Sequence, residues 1–216
     1  MKLETRILIV AATSMELDVA RSAAASRADI DFAEIGVGVL QATYRLACLL
    51  ERKQYQWALC IGIAGAFTAR LQMGDVAIVQ SERLDDLSNS QYMQGFEGAF
   101  SRGLLSVNHF PFENEILHCP YAREFSNRLQ LVEMQSVTTS LLAQTTAQAQ
   151  QRYAHYKVDM ENMEGAAFFY VCLMHKVKFL QLRSISNVVG ATKSEWSIPL
   201  ALEQLATAVN RAVQQM

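Results

Sequence analysis

Three polar residues stand where apolar stretches of this sequence begin or end. Glu16 follows the apolar run 7–12, Glu164 opens the apolar segment 163–175, and Asn187 follows the apolar run 177–184. A carboxylate accepts hydrogen bonds and can act as a general base, whereas an amide both donates and accepts. These residues are therefore the first candidates for a site that binds a polar ligand and acts on it.

Each candidate also has a purely structural interpretation. A carboxylate in the first turn of a helix, such as Glu16, stabilises the helix by up to about 1 kcal/mol through the helix dipole. Asn187 is of a type that favours turns. Glu164 is harder to explain in this way, because the helix that it opens is apolar on all sides and should be buried. A buried carboxylate needs a hydrogen-bonding partner, and a ligand rich in hydroxyl groups would supply one.

Short apolar runs alternate with longer amphipathic stretches along the chain. The predicted strands cover residues 7–12, 31–37, 57–63, 76–80, 130–137 and 177–184. A helix capped by Thr13 or Ser14 is predicted after the first strand, and further helices cover residues 40–52, 121–129, 142–153, 163–175 and 195–215. Residues 82–120 are predicted to be irregular. The alternation predicts an α/β fold with a central, mostly parallel mixed sheet flanked by helices.

In such a sheet, ligands bind beyond the carboxyl ends of the strands. Three polar groups are predicted at that edge, namely Glu16, the glycine-rich turn Gly62-Ile-Ala-Gly65 and the pair Ser186-Asn187. Glu161 belongs to a second Met-Glu pair that precedes the helix at Glu164. Because it lies outside that helix, we expect Glu161 to be exposed to solvent.

Length, composition and charge limit the classes of function. The 216 residues are 51% hydrophobic and carry a net charge of −2, which suits one globular domain over residues 1–216. No basic field would attract nucleic acid or an anionic membrane, so a small-molecule ligand is favoured. No signal peptide and no membrane span are recognisable. The four cysteines lack a CxxC pair, which indicates free thiols in a reducing, cytoplasmic compartment.

Several common cofactor and catalytic motifs are incomplete or missing. Gly36-Val-Gly38 follows a predicted strand, but a dinucleotide fingerprint needs a third glycine where this chain has Gln41. Neither a P-loop nor a G-x-S-x-G elbow occurs. The four histidines show no metal-ligand spacing. The sequence therefore predicts neither a cofactor nor a metal.

Four segments, taken together and in order, resemble a known superfamily. They are the predicted strand followed by Ala-Ala-x-x-x-Glu16, Gly62-Ile-Ala-Gly65, Met163-Glu-Gly-Ala-Ala167 and Arg183-Ser-Ile-Ser-Asn187. This arrangement is similar to the purine nucleoside phosphorylase and nucleosidase superfamily, specifically its hydrolase branch, over nearly the whole chain. The stretches 82–86 and 110–114 also resemble the futalosine hydrolase family, whose members release hypoxanthine from futalosine in a route to menaquinone.

The resemblance implies cleavage of an N-glycosidic bond by water. It implies that Glu16 activates the water, that Glu164 accepts hydrogen bonds from the ribose hydroxyls, and that Met163 packs against the ribose. Further substrate-binding residues are then expected around the base and sugar: Ile63, Ala64, Gly65, Ser186 and Trp196. For Trp196, simple packing is an equally good explanation. The resemblance also implies a homo-oligomer.

Asn187 is the position that departs from the resemblance. Related adenosine-type nucleosidases carry aspartate there, which protonates and binds adenine. An amide cannot supply a net proton, but it can donate to one atom of a purine and accept from another. Asn187 therefore favours a 6-oxopurine such as hypoxanthine over adenine.

Other activities remain open at this point. One alternative is a methylthioadenosine or adenosylhomocysteine nucleosidase, another is a purine nucleoside phosphorylase, and a third is an inactive nucleoside-binding module. A phosphate nucleophile needs cationic partners. The turn from residue 11 to Glu16 contains none, although Arg21 and Arg70 could reach the site. Water is therefore the favoured nucleophile.

The far end of the expected substrate is the least defined part of the site. Aromatic residues between positions 82 and 112 could cover it, or could form a local core or a subunit interface: Tyr92, Phe96, Phe100, Phe110 and Phe112. Lys193 or Arg102 could pair with a carboxylate of the substrate, and nothing in the sequence selects between them.

Overall fold

Eight strands form one mixed sheet in the computed structural model, which describes residues 7–25, 27–87 and 97–216. The strands are β1 Ile7–Ala11, β2 Ile30–Glu34, β3 Trp57–Ala66, β4 Val76–Leu84, β5 Leu117–His118, β6 Val132–Thr138, β7 Met160–Asn162 and β8 Lys178–Val188. β1 is wholly buried, and β8 is buried except at its two end residues. Strands buried on both faces read as continuous apolar runs, which is why the central strands could be predicted.

The sheet is partly closed. β1 pairs in parallel with β2 and β3, and β3 continues in parallel to β8. β8 then pairs antiparallel with β4, and β4 pairs in parallel with β6. β6 pairs in parallel with β7, which in turn pairs antiparallel with β3. Five strands therefore form a ring, with β2 and β1 extending from it. The predicted class, an α/β fold with a mostly parallel mixed sheet flanked by helices, is confirmed.

The described residues form six α-helices beside the sheet, and five of them pack in two groups. They are α1 Ser14–Ala23, α2 Val39–Arg52, α3 Ala122–Leu129, α4 Thr146–Tyr156, α5 Gly165–His175 and α6 Ile198–Val213. α1 and α3 pack against α6, which lies on β8 and β3, whereas α2 packs against α5. α5 is apolar on all sides, as predicted, and most of its residues are buried. In the described residues, no helix is long and apolar enough to cross a membrane.

The predicted glycine-rich turn, and the turn considered as an alternative for Asn187, are both parts of strands. Gly62-Ile-Ala-Gly65 lies inside β3, and its pairing with β8 is interrupted by a bulge between Ala64 and Gly65. Asn187 likewise lies within β8, which continues to Val188. Both strands extend because they pair with each other, about 120 residues apart in sequence.

Other element boundaries also differ from the prediction. Residues 35–37 are outside β2, β4 continues four residues beyond Gln80, and β7 precedes an α5 that begins at Gly165 rather than at residue 163. α4 begins at Thr146, because Thr145 caps it by accepting a hydrogen bond from the Gln148 amide at 3.2 Å. All four cysteines are free, as predicted.

Candidate active site

A pocket opens where β1, β3 and β8 end, and it encloses about 740 Å³ of partly open space. Its concave lining combines apolar side chains with a few polar groups, which suits a small-molecule ligand. Its lining includes all nine residues predicted for the site: Glu16, Ile63, Ala64, Gly65, Met163, Glu164, Ser186, Asn187 and Trp196. Residues from distant parts of the sequence therefore meet at the sheet edge that the fold class indicated.

Glu16 takes part in the N-terminal cap of α1 and also lines the pocket. Thr13 and Glu16 form a capping box, in which Glu16 Oε2 accepts from the Thr13 amide at 3.1 Å and from its hydroxyl at 2.8 Å. Glu16 Oε1 accepts from the Ile63 amide at 3.1 Å. The side chain is only 5% exposed, yet it lines the pocket. Glu16 therefore both stabilises the first turn of α1, as considered above, and lines the pocket.

Glu164 precedes the first residue of α5 and is also 5% exposed. Its Oε1 accepts from the Gly38 amide at 3.0 Å, and its Oε2 lies 3.6 Å from Arg183 Nη2. Burial raises the pKa of Glu164, while the charge of Arg183 and the Gly38 amide oppose the rise. Its carboxylate makes no capping hydrogen bond to α5. It therefore stays available to the pocket.

Arg183 lies beneath the pocket floor, 1% exposed, and does not line the pocket. A Cβ on Gly62 would be 2.1 Å from Arg183 Nη1 and 2.9 Å from Glu16 Oε1. Only glycine therefore lets these two side chains pack against β3 at this point. The guanidinium places positive charge behind Glu164 without occupying the ligand space.

Asn187 has a fixed amide orientation. The Ser186 hydroxyl donates to Asn187 Oδ1 at 2.8 Å, and Asn187 Nδ2 donates to the Val188 carbonyl at 3.0 Å. The amide is 6% exposed and lines the pocket. One N–H and one acceptor position of the amide remain for a ligand.

The sequence patterns did not indicate several of the residues that line the pocket. Val37 lines the pocket, and the adjacent Gly38 donates its amide to Glu164, so the incomplete Gly36-Val-Gly38 motif contributes to this pocket. Asn162 and the pair Leu142-Ala143 also line the pocket. The only advance signal for them was the glycine pair after a predicted strand.

The prediction that Glu161 is exposed to solvent was wrong. Glu161 is 5% exposed, lines the pocket and accepts from Arg152 Nη1 at 2.6 Å. It belongs to β7, a short strand that the sequence pattern did not reveal. Burial raises the pKa of Glu161, and the ion pair with Arg152 opposes that rise.

The aromatic residues considered for the far end of a substrate lie elsewhere or are not described. Phe100 and Phe112 are buried against each other, with ring centroids 5.2 Å apart, and form part of the core. Phe110 is 63% exposed and does not line the pocket. Tyr92 and Phe96 lie outside the described residues.

The cations considered for the site lie on the surface. Arg21 pairs with Asp18, Arg70 pairs with Asp159, and Arg102 pairs with Glu97. Lys193 is exposed in a short 3-10 helix, Lys193–Glu195. Among the described pocket residues none is lysine or arginine.

Comparison with known proteins shows the family of this chain. The family model of the phosphorylase superfamily matches residues 26–215. The chain belongs to the phosphorylase superfamily. The resemblance to purine nucleoside phosphorylases and nucleosidases is thus confirmed.

Individual relatives share less than a third of their residues with this chain. A futalosine hydrolase of Thermus thermophilus is 29% identical over 187 residues, 85% of this chain and 81% of that protein. A 5′-methylthioadenosine/S-adenosylhomocysteine nucleosidase of Colwellia psychrerythraea is 25% identical over 75% of this chain and 68% of its own length. The structure of a futalosine hydrolase of Helicobacter pylori aligns over 100% of both chains with a TM-score of 0.82 at 16% identity, which supports the fold.

Proposed function

We propose that this protein hydrolyses the N-glycosidic bond of a 6-oxopurine nucleoside, with futalosine as its substrate and hypoxanthine and dehypoxanthine futalosine as products. The observation that carries the proposal is the pocket in which Glu16, Glu164 and the oriented amide of Asn187 meet. The two carboxylates suit a sugar that becomes cationic, and the amide suits the base. The match to a futalosine hydrolase over 85% of this chain supports the same substrate.

Glu16 is the general base in this proposal. A carboxylate has about four acceptor positions, and Glu16 uses three of them on Thr13 and Ile63. The remaining position accepts a hydrogen bond from water. As the bond between C1′ and the base breaks, the electron pair leaves with the base, the water oxygen bonds to C1′, and Glu16 takes the proton. The purine anion takes up a proton from solvent, to which Glu16 returns its own, so that hypoxanthine leaves as the neutral base.

Glu164 binds the sugar in this proposal. Its Oε1 has one contact to Gly38 and its Oε2 faces Arg183, so acceptor positions remain for ribose hydroxyls. Hydrogen bonds from the hydroxyls to a buried carboxylate strengthen as positive charge develops on the ribose. Met163 lies beside Glu164 in the lining and supplies the apolar contact to the sugar.

Asn187 selects the base. Its amide orientation is fixed by Ser186 and Val188, so the N–H that remains points to an acceptor on the ligand. A 6-oxopurine offers an acceptor at O6, whereas adenine has an amino donor there. An unpaired buried polar group costs about 1–3 kcal/mol, which corresponds to about 5–150-fold in kcat/KM.

Water is the proposed nucleophile rather than phosphate. A bound phosphate needs cationic or backbone donors, and Glu16 would repel it. Arg183 is buried beneath the floor and already faces Glu164. In the described part of the lining, no side chain carries positive charge.

A 5′-methylthioadenosine or S-adenosylhomocysteine nucleosidase is the second candidate. A relative with this activity matches 75% of the chain. The two candidates differ at the base, because the second requires a site that accepts a 6-amino group. Asn187 is therefore the position that separates them.

The test measures kcat/KM on four nucleosides, for the wild type and for the Asn187→Asp variant. Futalosine, aminofutalosine, inosine and methylthioadenosine are each incubated with the protein, and products are identified by mass. We expect the wild type to prefer the 6-oxopurines, and Asn187→Asp to shift the kcat/KM ratio toward the 6-aminopurines by at least about tenfold. A wild type that prefers the 6-aminopurines would contradict the proposal and favour the second candidate.

A further inference from the structure

Behind the pocket lies a carboxylate for which the proposed mechanism has no use. Glu82 on β4 is 0% exposed and does not line the pocket. Its Oε1 accepts from Asn162 Nδ2 at 2.7 Å and from Gln181 Nε2 at 2.8 Å. Its Oε2 accepts from the Thr138 hydroxyl at 3.0 Å. A carboxylate buried this deeply is costly, so its place in the network needs an explanation.

Asn162 connects Glu82 to the start of α5. While its Nδ2 donates to Glu82 and to Ser136 Oγ at 2.7 Å, its Oδ1 accepts from the amides of Glu164 at 3.0 Å and Gly165 at 2.6 Å. The first amides of a helix have no partner within the helix. Asn162 thus supplies the cap that the Glu164 side chain does not.

Thr138 makes the second connection. Its hydroxyl donates to Glu82 and accepts from the Ala166 amide at 2.7 Å. A carboxylate only accepts hydrogen bonds, so ionised Glu82 forces both Asn162 and Thr138 to direct their donors toward it. The acceptor atoms of these side chains are then turned toward the amides of α5.

The packing around Glu82 is specific to this arrangement. A Cβ on Gly165 would lie 1.9 Å from Glu82 Oε1 and 2.7 Å from Gln181 Nε2. The helix therefore starts with the residue that lets the carboxylate approach its backbone. Without a glycine at this position, Glu82 and the first turn of α5 could not share the space.

We propose that Glu82 is a positioning residue: by orienting Asn162 and Thr138 it fixes the first turn of α5, and so holds the Glu164 carboxylate in the pocket. This role depends on the proposed function in one respect only, namely that Glu164 binds the substrate. The geometric part, that Glu82 orders the start of α5, concerns the protein without a ligand.

Charge supports a role that depends on the ionisation of Glu82. Burial raises the pKa of Glu82 to about 7, while Arg183 and the donors from Asn162, Gln181 and Thr138 oppose the rise. The charged and titratable groups grouped around Arg183 are Cys60 on β3, Glu164, Glu16 and Glu82. A proton on Glu82 adds a donor to a network arranged for an acceptor, and so loosens the cap.

Hydrogen exchange of backbone amides in the ligand-free protein tests the positioning role. In Glu82→Gln, we expect the amides of Glu164, Gly165 and Ala166 to exchange at least about tenfold faster, with later amides of α5 unchanged. Glu133→Gln is the control, because Glu133 is also a poorly exposed carboxylate, but its partner is Arg123 on α3, at 2.8 Å, rather than a side chain that caps α5. Unchanged exchange at the three amides in Glu82→Gln overturns the proposal. Uniformly faster exchange throughout α5 also overturns it, because that pattern indicates general destabilisation.

Kinetics on the nucleoside substrate give the second readout. We expect the wild-type kcat to fall as Glu82 takes up a proton near pH 7. We expect Glu82→Gln to lower kcat/KM by about tenfold and to lack that fall. In an Asn162→Ala background, the same substitution should have less than about half its effect on the free-energy scale, because Glu82 acts through Asn162. Full additivity of the two variants, or an identical pH profile in Glu82→Gln, contradicts the role.

The two proposals fail in different ways. If the wild type releases no base from any nucleoside, the proposed function is wrong, and the exchange experiment still decides whether Glu82 orders α5. If base is released but exchange and kinetics are unchanged in Glu82→Gln, only the positioning role is wrong.

Discussion

Two glutamates with nearly the same burial have different partners in the pocket. Glu16 is held by uncharged donors from Thr13 and Ile63, whereas Glu164 faces the guanidinium of Arg183. The first arrangement leaves a carboxylate that can take a proton from water. The second leaves one that is balanced by a fixed charge and suited to hydroxyl groups. The proposed division of roles, with Glu16 as the general base and Glu164 as the ligand of the sugar, rests on these different partners.

The division predicts different kinetic effects for two isosteric variants. Glu16→Gln removes the proton acceptor, so kcat should fall by about 10²–10⁴-fold with little change in KM. Glu164→Gln weakens the hydrogen bonds from the ribose hydroxyls in both the ground state and the transition state, so KM should rise as kcat falls. Steady-state kinetics on futalosine check this, with the exposed Glu124→Gln on α3 as control. Near-normal kcat in Glu16→Gln would remove this residue from the mechanism.

At the residue level, the sequence predicted those site members that lie in recognisable motifs. Glu16, Glu164 and Asn187 were found because each adjoins an apolar run that forms a buried element. Glu161 was misjudged, because the burial of a charged side chain depends on a partner, here Arg152 on α4, that the sequence does not pair with it. Glu82 was not identified for the same reason.

At the level of elements, local patterns gave the type of most helices and strands but not their ends. The extension of β3 through Gly65 and of β8 through Asn187 arises from their mutual pairing, which no local pattern encodes. The bulge between Ala64 and Gly65 is likewise a product of that pairing. The site depends on these extensions, because they carry Ala64, Gly65 and Asn187 into the lining.

The start of α5 offers a test of this packing. Gly165→Ala adds a Cβ that overlaps Glu82 Oε1, so we expect it to destabilise the protein by about 1–3 kcal/mol. Gly103→Ala is the control, because Gly103 has φ +68° and nothing within 4 Å, so only the cost of its backbone conformation, about 1–2 kcal/mol, applies. Urea denaturation measures both.

The double variant Gly165→Ala with Glu82→Ala separates overlap from other causes. Removing the carboxylate makes room for the new Cβ, so the double variant should be more stable than the sum of the two single effects predicts. Strict additivity would show that the two residues do not compete for the space.

At the scale of the whole molecule, the fold class could be predicted and the closure of the sheet could not. Alternating strands and helices indicate an α/β fold, but the ring of β3, β8, β4, β6 and β7 requires pairings between distant segments. A single domain over residues 1–216, a homo-oligomer and a cytoplasmic location remain predictions from the sequence and its resemblance.

The buried carboxylates predict how stability changes with pH. Glu82 binds its proton more tightly in the folded chain, with a pKa of about 7, than at its ordinary value of 4.5. Protonation removes the cost of a buried charge, so the stability linked to Glu82 is full below the ordinary pKa and is lost as the pH rises through about 7. This global effect outweighs the local loosening of the α5 cap by the same proton. The difference in Tm between Glu82→Gln, which cannot titrate, and the wild type should shift in favour of the variant from about pH 5 to about pH 8. A difference that stays constant over this range would contradict the raised pKa.

The fate of a water oxygen tests the central claim most directly. Futalosine is incubated with the protein in phosphate-free buffer enriched in oxygen-18 water, and both products are analysed by mass. The proposed hydrolysis predicts free hypoxanthine and a sugar product that carries the label at C1′ from the first turnover. Release of base only when phosphate is added, with a sugar 1-phosphate as product, would contradict it.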